Sequence, residues 1–244
     1  MTGKGSNYRM LPLLAVVVLM ALLAGCSKQG TKRMPMIFET LVVGQLGVNC
    51  FILADPETKE GIVVDPGDDT GEILALVRKQ GVRVKYILNT HGHFDHVGGN
   101  RRMVEETGAT LMIHQGDEPF LARASRSATM YGLKAEDSPA PAAHLADGQT
   151  LTFGSIELKV IHTPGHSPGG SCFYLPADGR LISGDTLFAE SIGRTDLTGG
   201  SHEQLVHSIT TKLLVLPDET RVYPGHGPAT TIGHERRHNP YLGH

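Results

Sequence analysis

Residues 89–99 carry three imidazoles and one carboxylate within one short segment, Asn-Thr-His-Gly-His-Phe-Asp-His-Val-Gly-Gly. The four side chains are His91, His93, Asp95 and His96. Imidazole and carboxylate ligands suit Zn, Fe or Mn, and such a loop can hold two ions a few ångström apart. A solvated turn with chance histidines is the alternative, and four ligand-type residues in six positions argue against it.

The segment before this loop, residues 84–88, is apolar and β-branched, which predicts a buried strand. Ligands of α/β sheets bind beyond the carboxyl ends of strands, so the loop is well placed for chemistry. One loop cannot complete the coordination of two ions, and further ligands are therefore expected downstream. Three candidates follow other strand-like segments, namely His166, Asp185 and His226. Each has a glycine beside it, which permits sharp turns and close backbone approach.

Taken in this order, the motifs around these seven residues resemble those of the metallo-β-lactamase-fold hydrolases, and within them the glyoxalase II-like group (hydroxyacylglutathione hydrolases). The resemblance covers about residues 36–243 and implies an α/β fold, a four-layer αββα sandwich. It implies a first metal site of His91, His93 and His166. It implies a second site of Asp95, His96 and His226, with Asp185 bridging the two.

By the same resemblance, the two divalent ions are expected to be Zn, with Fe or Mn as alternatives. Asp65 is expected beneath the metal loop, where a carboxylate would orient a metal-bound histidine. The local sequence Asp65-Pro66-Gly67 is equally compatible with a simple turn. Arg194 is interpreted as an ion-pair partner, with contact to an acidic substrate as the alternative.

The function implied is metal-dependent hydrolysis of a small-molecule acyl substrate, a thioester above all. A metal-bridging hydroxide attacks the acyl carbonyl, and Asp95 orients the nucleophile. The chain resembles the short, single-domain members of the group, because nothing after His226 corresponds to the helical domain that contacts glutathione in longer enzymes. Three alternatives remain: a persulfide dioxygenase with one iron, a lactonase or β-lactamase, and a non-enzymatic metal-binding lipoprotein of the envelope.

The first 25 residues resemble a bacterial lipoprotein signal peptide. Lys4 and Arg9 form a basic start, and residues 11–23 are an apolar run shorter than a membrane span. The sequence Leu-Ala-Gly-Cys at 23–26 resembles a lipobox, so we expect lipidation of Cys26 after cleavage before it. An uncleaved anchor or an ordinary signal peptide cut near residue 25 is the alternative.

The predicted organisation is therefore a signal peptide over 1–25, a tether over 26–35 and a catalytic domain over 36–244. The protein is expected to be anchored to a bacterial membrane through Cys26, on its extracytoplasmic side. Position 27 is Ser rather than the Asp that marks inner-membrane retention in lipoprotein sorting, which favours the outer membrane. Cys50 and Cys172 lie in apolar segments and are expected to be buried thiols.

Composition is that of an ordinary globular protein, with 40% hydrophobic and 19% charged residues in 244. The chain has no Trp, 5% aromatic residues and a net charge of -3, so no nucleic-acid partner is expected. Strands are predicted at 36–43, 49–53, 62–65, 84–88 and 110–114. Helices are predicted at 70–80, 203–214 and 231–240, and residues 115–145 are expected to form a helix and a mobile loop.

Overall fold

The computed structural model describes residues 1–5 and 34–243. The chain divides into two units, 1–33 and 34–244, and the described helices and strands lie in the second. Most of the predicted signal peptide, Cys26 and the tether up to residue 33 lie outside the described residues. Among the helices that the structure describes, none has both the length and the apolar character needed to cross a bilayer.

Two six-stranded sheets form the centre of the second unit. The first contains β1 (Ile37–Val43), β2 (Val48–Ala54), β3 (Glu60–Val64), β4 (Arg83–Leu88), β5 (Thr110–His114) and β6 (Ala143–Leu145), in that spatial order. The second contains β7 (Thr150–Phe153), β8 (Ile156–His162), β9 (Ser171–Leu175) and β10 (Arg180–Gly184). A hairpin of β11 (Leu187–Phe188) and β12 (Ser191–Ile192) follows, and then β13 (Arg221–Pro224) and β14 (Thr230–Thr231). The spatial order of the second sheet is β14-β13-β10-β9-β8-β7.

In the described part of the chain, seven α-helices accompany the sheets. They are α1 (Thr70–Gln80), α2 (Phe94–Val97), α3 (Asn100–Thr107), α4 (Glu118–Leu121), α5 (Ala124–Met130), α6 (His202–Ser208) and α7 (Ile232–His238). Helix α6 continues as a π-helical segment over Ile209–Leu213.

The four-layer αββα prediction is confirmed by three buried clusters. Between the sheets, Phe51 and Leu88 of the first pack with Phe153 and Phe173 of the second. Outside the first sheet, α1 and α3 bury Ile73, Val77 and Met103 against Ile52 and Ile87. Outside the second sheet, the buried cluster contains Leu205, Ile209, Leu181, Val222 and Ile232. Helices therefore cover both faces of the paired sheets.

Strand β2 shows how the sequence produces these layers. All seven of its residues are buried, because successive side chains point to opposite faces and both faces are covered. Cys50 and Ile52 belong to the helix side, whereas Phe51 and Leu53 belong to the space between the sheets. Strand β2 pairs antiparallel with both β1 and β3, and the parallel pairing of β3 with β4 makes a βαβ unit with α1.

Two predicted regions differ from the structure. Residues 115–145 contain two helices, α4 and α5, and the edge strand β6 rather than one helix and a loop, because elements of three to seven residues are too short to show periodicity. The helix predicted over 203–214 becomes π-helical at Ile209. There the Thr210 and Thr211 hydroxyls donate to the carbonyls of Val206 and His207, a bonding pattern that bends helices.

Candidate metal centre

The seven predicted ligands sit at strand ends of both sheets. His91 and His93 lie in the loop after β4, and the next helix, α2, contains Asp95 and His96. His166 lies in the loop between β8 and β9, Asp185 directly follows β10, and His226 follows β13. Because β10 and β13 are parallel, their carboxyl ends lie at the same edge of the second sheet.

The fold brings all seven side chains together. Three groups have ligand atoms within 4.8 Å of one another: His91, His93 and His166; His91, His96 and Asp185; and Asp95, His96 and His226. His166 Nε2 lies 2.9 Å from His93 Nδ1, and His226 Nε2 lies 3.4 Å from Asp95 Oδ2. The first and third groups are the two triads that the family resemblance implied.

Asp185 lies between the two triads. Its Oδ2 is 3.6 Å from His166 Nε2, a member of the first triad, and 3.7 Å from His226 Nε2, a member of the second. Its Oδ1 is 3.6 Å from His96 Nε2, which also belongs to the second triad. A single carboxylate therefore faces both groups of imidazoles.

Two of the atoms that could ligate a metal have no hydrogen-bond partner among the described residues, although both are buried. They are His91 Nε2 and Asp185 Oδ1. Leaving a buried polar atom unsatisfied costs about 1–3 kcal/mol, so such atoms usually have a partner. Imidazole nitrogens and carboxylate oxygens directed into one space are the ligand set that Zn, Fe and Mn prefer. The residues present therefore fit a pair of divalent ions.

The surroundings decide the protonation of the imidazoles. Burial, together with the neighbouring histidines, holds the pKa of His91 well below its usual value. Burial and then His166 lower the pKa of His93 to about 3. Both rings are therefore neutral near pH 7, and a metal ligand must be neutral.

His96 behaves differently. Burial opposes its positive charge, but Asp95, Asp185 and Asp65 outweigh that effect and raise the pKa of His96 to about 10. Burial also opposes the charge of Asp95, and His96 and His226 more than compensate, so the pKa of Asp95 is lowered. In the absence of metal, a proton on His96 balances the carboxylates, and a divalent ion would displace it.

The expectation for Asp65 is confirmed. Asp65 is fully buried, and its Oδ2 lies 3.0 Å from His96 Nδ1. The same carboxylate accepts hydrogen bonds from Thr90 N at 2.8 Å and from Thr90 Oγ1 at 2.6 Å. With Nδ1–H donated to Asp65, Nε2 of His96 is left for the cluster.

Backbone carbonyls orient two further histidines. His166 Nδ1 lies 2.8 Å from the carbonyl oxygen of Arg194, and His226 Nδ1 lies 3.0 Å from that of Leu46. In each ring the Nδ1–H donates to the carbonyl, so the Nε2 lone pair faces the cluster.

One buried carboxylate beside the site, Asp117, was not predicted from the sequence. It accepts hydrogen bonds from Gly92 N at 2.9 Å, Ser167 Oγ at 2.6 Å and Gly169 N at 2.5 Å. Its position just after β5, at the same kind of strand end as the ligands, was the available signal. The sequence Gly-Asp-Glu-Pro at 116–119 reads locally as a turn, which concealed this role.

A cleft of about 400 Å³ opens onto the cluster. Five of the seven predicted ligands line it, namely His93, Asp95, His166, Asp185 and His226. Its apolar walls come from Leu46, Phe94, Phe120, Met130, Tyr131 and Leu197. Arg194 also lines the cleft and, as favoured from sequence, pairs with Asp196, with two contacts of 2.7 Å between their exposed side chains.

Among the residues that the structure describes, the other histidines and the two cysteines take no part in the cluster. His114 stacks on His162 at 3.9 Å, His144 pairs with Glu118, and His234 pairs with Glu190. Cys50 and Cys172 are buried free thiols, as predicted.

Comparison with known proteins agrees with this geometry. Residues 43–226 match the model of the metallo-beta-lactamase superfamily. A probable metallo-hydrolase of Bacillus subtilis, YqgX, is 37% identical over 212 residues, which cover 86% of this chain and 96% of that protein. The hydroxyacylglutathione hydrolase GloC of Haemophilus influenzae is 34% identical, with 85% of this chain and 98% of that protein covered.

Solved structures agree as well. The di-iron-bound form of TTHA1623 has a TM-score of 0.78 and 40% identity, with 84% of this chain and all of that chain covered. The B3 metallo-beta-lactamase BLEG-1 has a TM-score of 0.80 and 36% identity, with 85% of this chain and all of that chain covered. The matched region includes the whole His and Asp cluster. The chain therefore belongs to the metallo-β-lactamase superfamily, and its relatives there include metal-dependent hydrolases.

Proposed function

We propose that this protein hydrolyses thioesters with a pair of divalent metal ions. The observation that carries the proposal is the position of Asp185, whose two oxygens face both triads at 3.6–3.7 Å. The first ion would be held by His91, His93 and His166, the second by Asp95, His96 and His226, and both by Asp185. Two such ions supply a hydroxide near neutral pH and polarise the carbonyl that it attacks.

The protein's own residues supply position and charge. The ionised Asp95 lines the cleft, where it can accept a hydrogen bond from the attacking nucleophile and so orient it. The apolar wall formed by Phe94, Phe120 and Met130 excludes water around the acyl group. Asp65 and the carbonyls of Arg194 and Leu46 hold the imidazoles in place, so little reorganisation is needed during the reaction.

A thioester substrate is supported by the similarity to the hydroxyacylglutathione hydrolase GloC, since the alignment covers 98% of that protein. A β-lactam is the second candidate, supported by the 36% identity to a B3 metallo-beta-lactamase. A dioxygenase with one iron fits less well, because a single ion would leave the complete second triad of Asp95, His96 and His226 without a metal. Zn is proposed for both ions, and the di-iron form of TTHA1623 supports Fe as the alternative.

The test is a comparison of substrates on protein loaded separately with Zn, Fe and Mn. We expect hydrolysis of S-D-lactoylglutathione or a simple thioester to exceed that of a lactone and of nitrocefin. The Asp185→Asn variant should lose at least about 100-fold in kcat/KM, whereas His234→Ala, outside the cluster, should match the parent. Oxygen uptake with one iron per chain, or metal binding without turnover on any ester, thioester or lactam, would refute the proposal.

We further propose that the protein is lipid-anchored through Cys26, on the sequence grounds given above. Replacement Cys26→Ser should move the protein from the membrane to the soluble fraction, and Cys172→Ser, a buried thiol, should not. Replacement Ser27→Asp should shift it from the outer to the inner membrane. Membrane association that survives Cys26→Ser would contradict lipidation at this site.

A further inference from the structure

We propose that Asp117 is a positioning residue that holds the two loops of the first metal site together. This inference rests on the metal pair of the proposed function. Asp117 is fully buried and lies immediately before α4. Three hydrogen bonds of 2.5–2.9 Å reach its carboxylate, and all come from the loops that carry His91, His93 and His166.

The donors show how the carboxylate joins the loops. Gly92, which donates its N–H to Oδ2, lies between His91 and His93 in sequence. Ser167, adjacent to His166, donates its hydroxyl to the same oxygen, and Gly169 donates its N–H to Oδ1. Asp117 therefore connects the loop after β4, in the first sheet, to the loop after β8, in the second.

The chain is closely packed around this contact. A Cβ on Gly169 would lie 2.7 Å from Asp117 Cγ, and a Cβ on Gly92 would lie 2.8 Å from the Asp117 carbonyl oxygen. Both distances are far shorter than an ordinary van der Waals contact. Burial raises the pKa of Asp117, and the three donated hydrogen bonds oppose that rise.

The histidines of the second metal site are held in place by groups other than Asp117. Asp65 holds His96, and the carbonyl of Leu46 holds His226. None of the described hydrogen bonds of Asp117 reaches the residues of that triad. The loss of Asp117 should therefore weaken the first site and spare the second, which a general loss of stability would not do.

The experiment measures metal equivalents per chain against free Zn²⁺ set by a competing chelator. We expect two equivalents for the parent. For Asp117→Asn, one equivalent should bind as in the parent and the other roughly 10- to 100-fold more weakly. Ser167→Ala removes one of the three hydrogen-bond donors and keeps the Asp117 carboxylate in place, so it should show a smaller change of the same kind. This variant replaces Asp117→Asn in the test if Asp117→Asn fails to fold.

Glu235→Gln is the matched control. Glu235 is also fully buried and accepts three hydrogen bonds, from Thr230 Oγ1, Glu190 N and Asn239 Nδ2, but it does not line the cleft. This variant should have a lower Tm and bind both ions as the parent does. The inference fails if the Asp117 and Ser167 variants bind both ions like the parent, if they weaken both sites equally, or if Glu235→Gln shows the same selective loss. If the parent itself binds fewer than two ions, that result contradicts the proposed metal pair, whatever the Asp117 and Ser167 variants do.

Discussion

Among the single residues of the site, the buried imidazole of His96 has carboxylates on several sides. Asp65, Asp95 and Asp185 all lie within 3.7 Å of His96, which is itself fully buried. Burial alone would keep this ring neutral, and the three carboxylates reverse that preference. The site is thus built for a cation, whether a proton or a metal.

Metal binding at pH 8 should release about two protons, one from His96 and one from the water that would become the hydroxide. Without metal the pKa of His96 is about 10, so the ring is charged at pH 8, and it must be neutral to bind an ion. Calorimetric titration of the metal-free protein with Zn²⁺ in buffers of different ionisation enthalpy gives the number of protons. A count of one or fewer at this pH would show that His96 does not lose a proton when the metal binds.

Gly225 lies where any side chain would enter the cluster. A Cβ there would be 2.3 Å from Asp185 Oδ1 and 2.8 Å from His96 Cε1. The replacement Gly225→Ala should therefore lower kcat/KM and metal affinity by roughly 10- to 100-fold. Gly71→Ala in α1, where nothing lies within 4 Å, is the control and should leave both quantities unchanged. Parent-like metal affinity in Gly225→Ala would mean that the cluster is less closely packed than described.

At the scale of elements, the two sheets are tied together at a distance from the cleft. Asp55 follows β2 of the first sheet, and its carboxylate accepts bonds from the Ser155 N–H and hydroxyl in the β7–β8 turn of the second. The same carboxylate accepts from the backbone N–H groups of Glu57 and Thr58. Charge on Asp55 therefore stabilises the contact between the sheets.

The contribution of Asp55 should depend on pH. Hydrogen bonds from Ser155 and then Thr58 hold the pKa of Asp55 well below its ordinary value of about 3.9. The stabilisation is therefore complete above about pH 4 and is lost as the pH falls further. At pH 7, Asp55→Asn should lower the free energy of unfolding by about 2 kcal/mol.

Denaturant unfolding of parent and variant between pH 2 and 7 checks this expectation. The difference between them should shrink as the pH falls below 4, because the unfolded parent chain then binds a proton at Asp55 that the folded state binds only at lower pH. A difference that stays constant over this range would show that the charge of Asp55 is not the cause.

The elements also show what a sequence can reveal about this fold. Helix α1 was predicted with its observed bounds, because apolar residues recur at helical spacing and Gly81 ends the helix in a left-handed conformation with φ 68°. The three-residue β6 and the four-residue α4 give no periodic signal. The change to a π-helical segment at Ile209 depends on hydrogen bonds that no hydrophobic pattern encodes.

At the scale of the whole molecule, the site belongs to neither sheet alone. His91 and His93 follow a strand of the first sheet, whereas His166, Asp185 and His226 follow strands of the second. The order of the motifs predicted this set through the family resemblance. The role of Asp117 could not be predicted in that way, because it depends on contacts between two loops distant in sequence.

Bound metal should stabilise the folded molecule, since the ligands converge only in that state. At a free metal concentration about 100 times Kd, each ion adds about 2.7 kcal/mol, so the pair adds about 5 kcal/mol. For a domain of this size each kcal/mol corresponds to about 2–4 °C in Tm, so removal of both ions by a chelator should lower Tm by about 10–20 °C. Readdition of Zn²⁺ should restore it, and an unchanged Tm would argue against metal binding in the folded state.

The most direct test is anomalous X-ray diffraction from crystals of the metal-loaded protein. We predict two anomalous peaks, one bounded by His91, His93 and His166 and the other by Asp95, His96 and His226, with Asp185 touching both. No peak, or peaks only outside this cluster, would show that these seven side chains do not hold a metal pair.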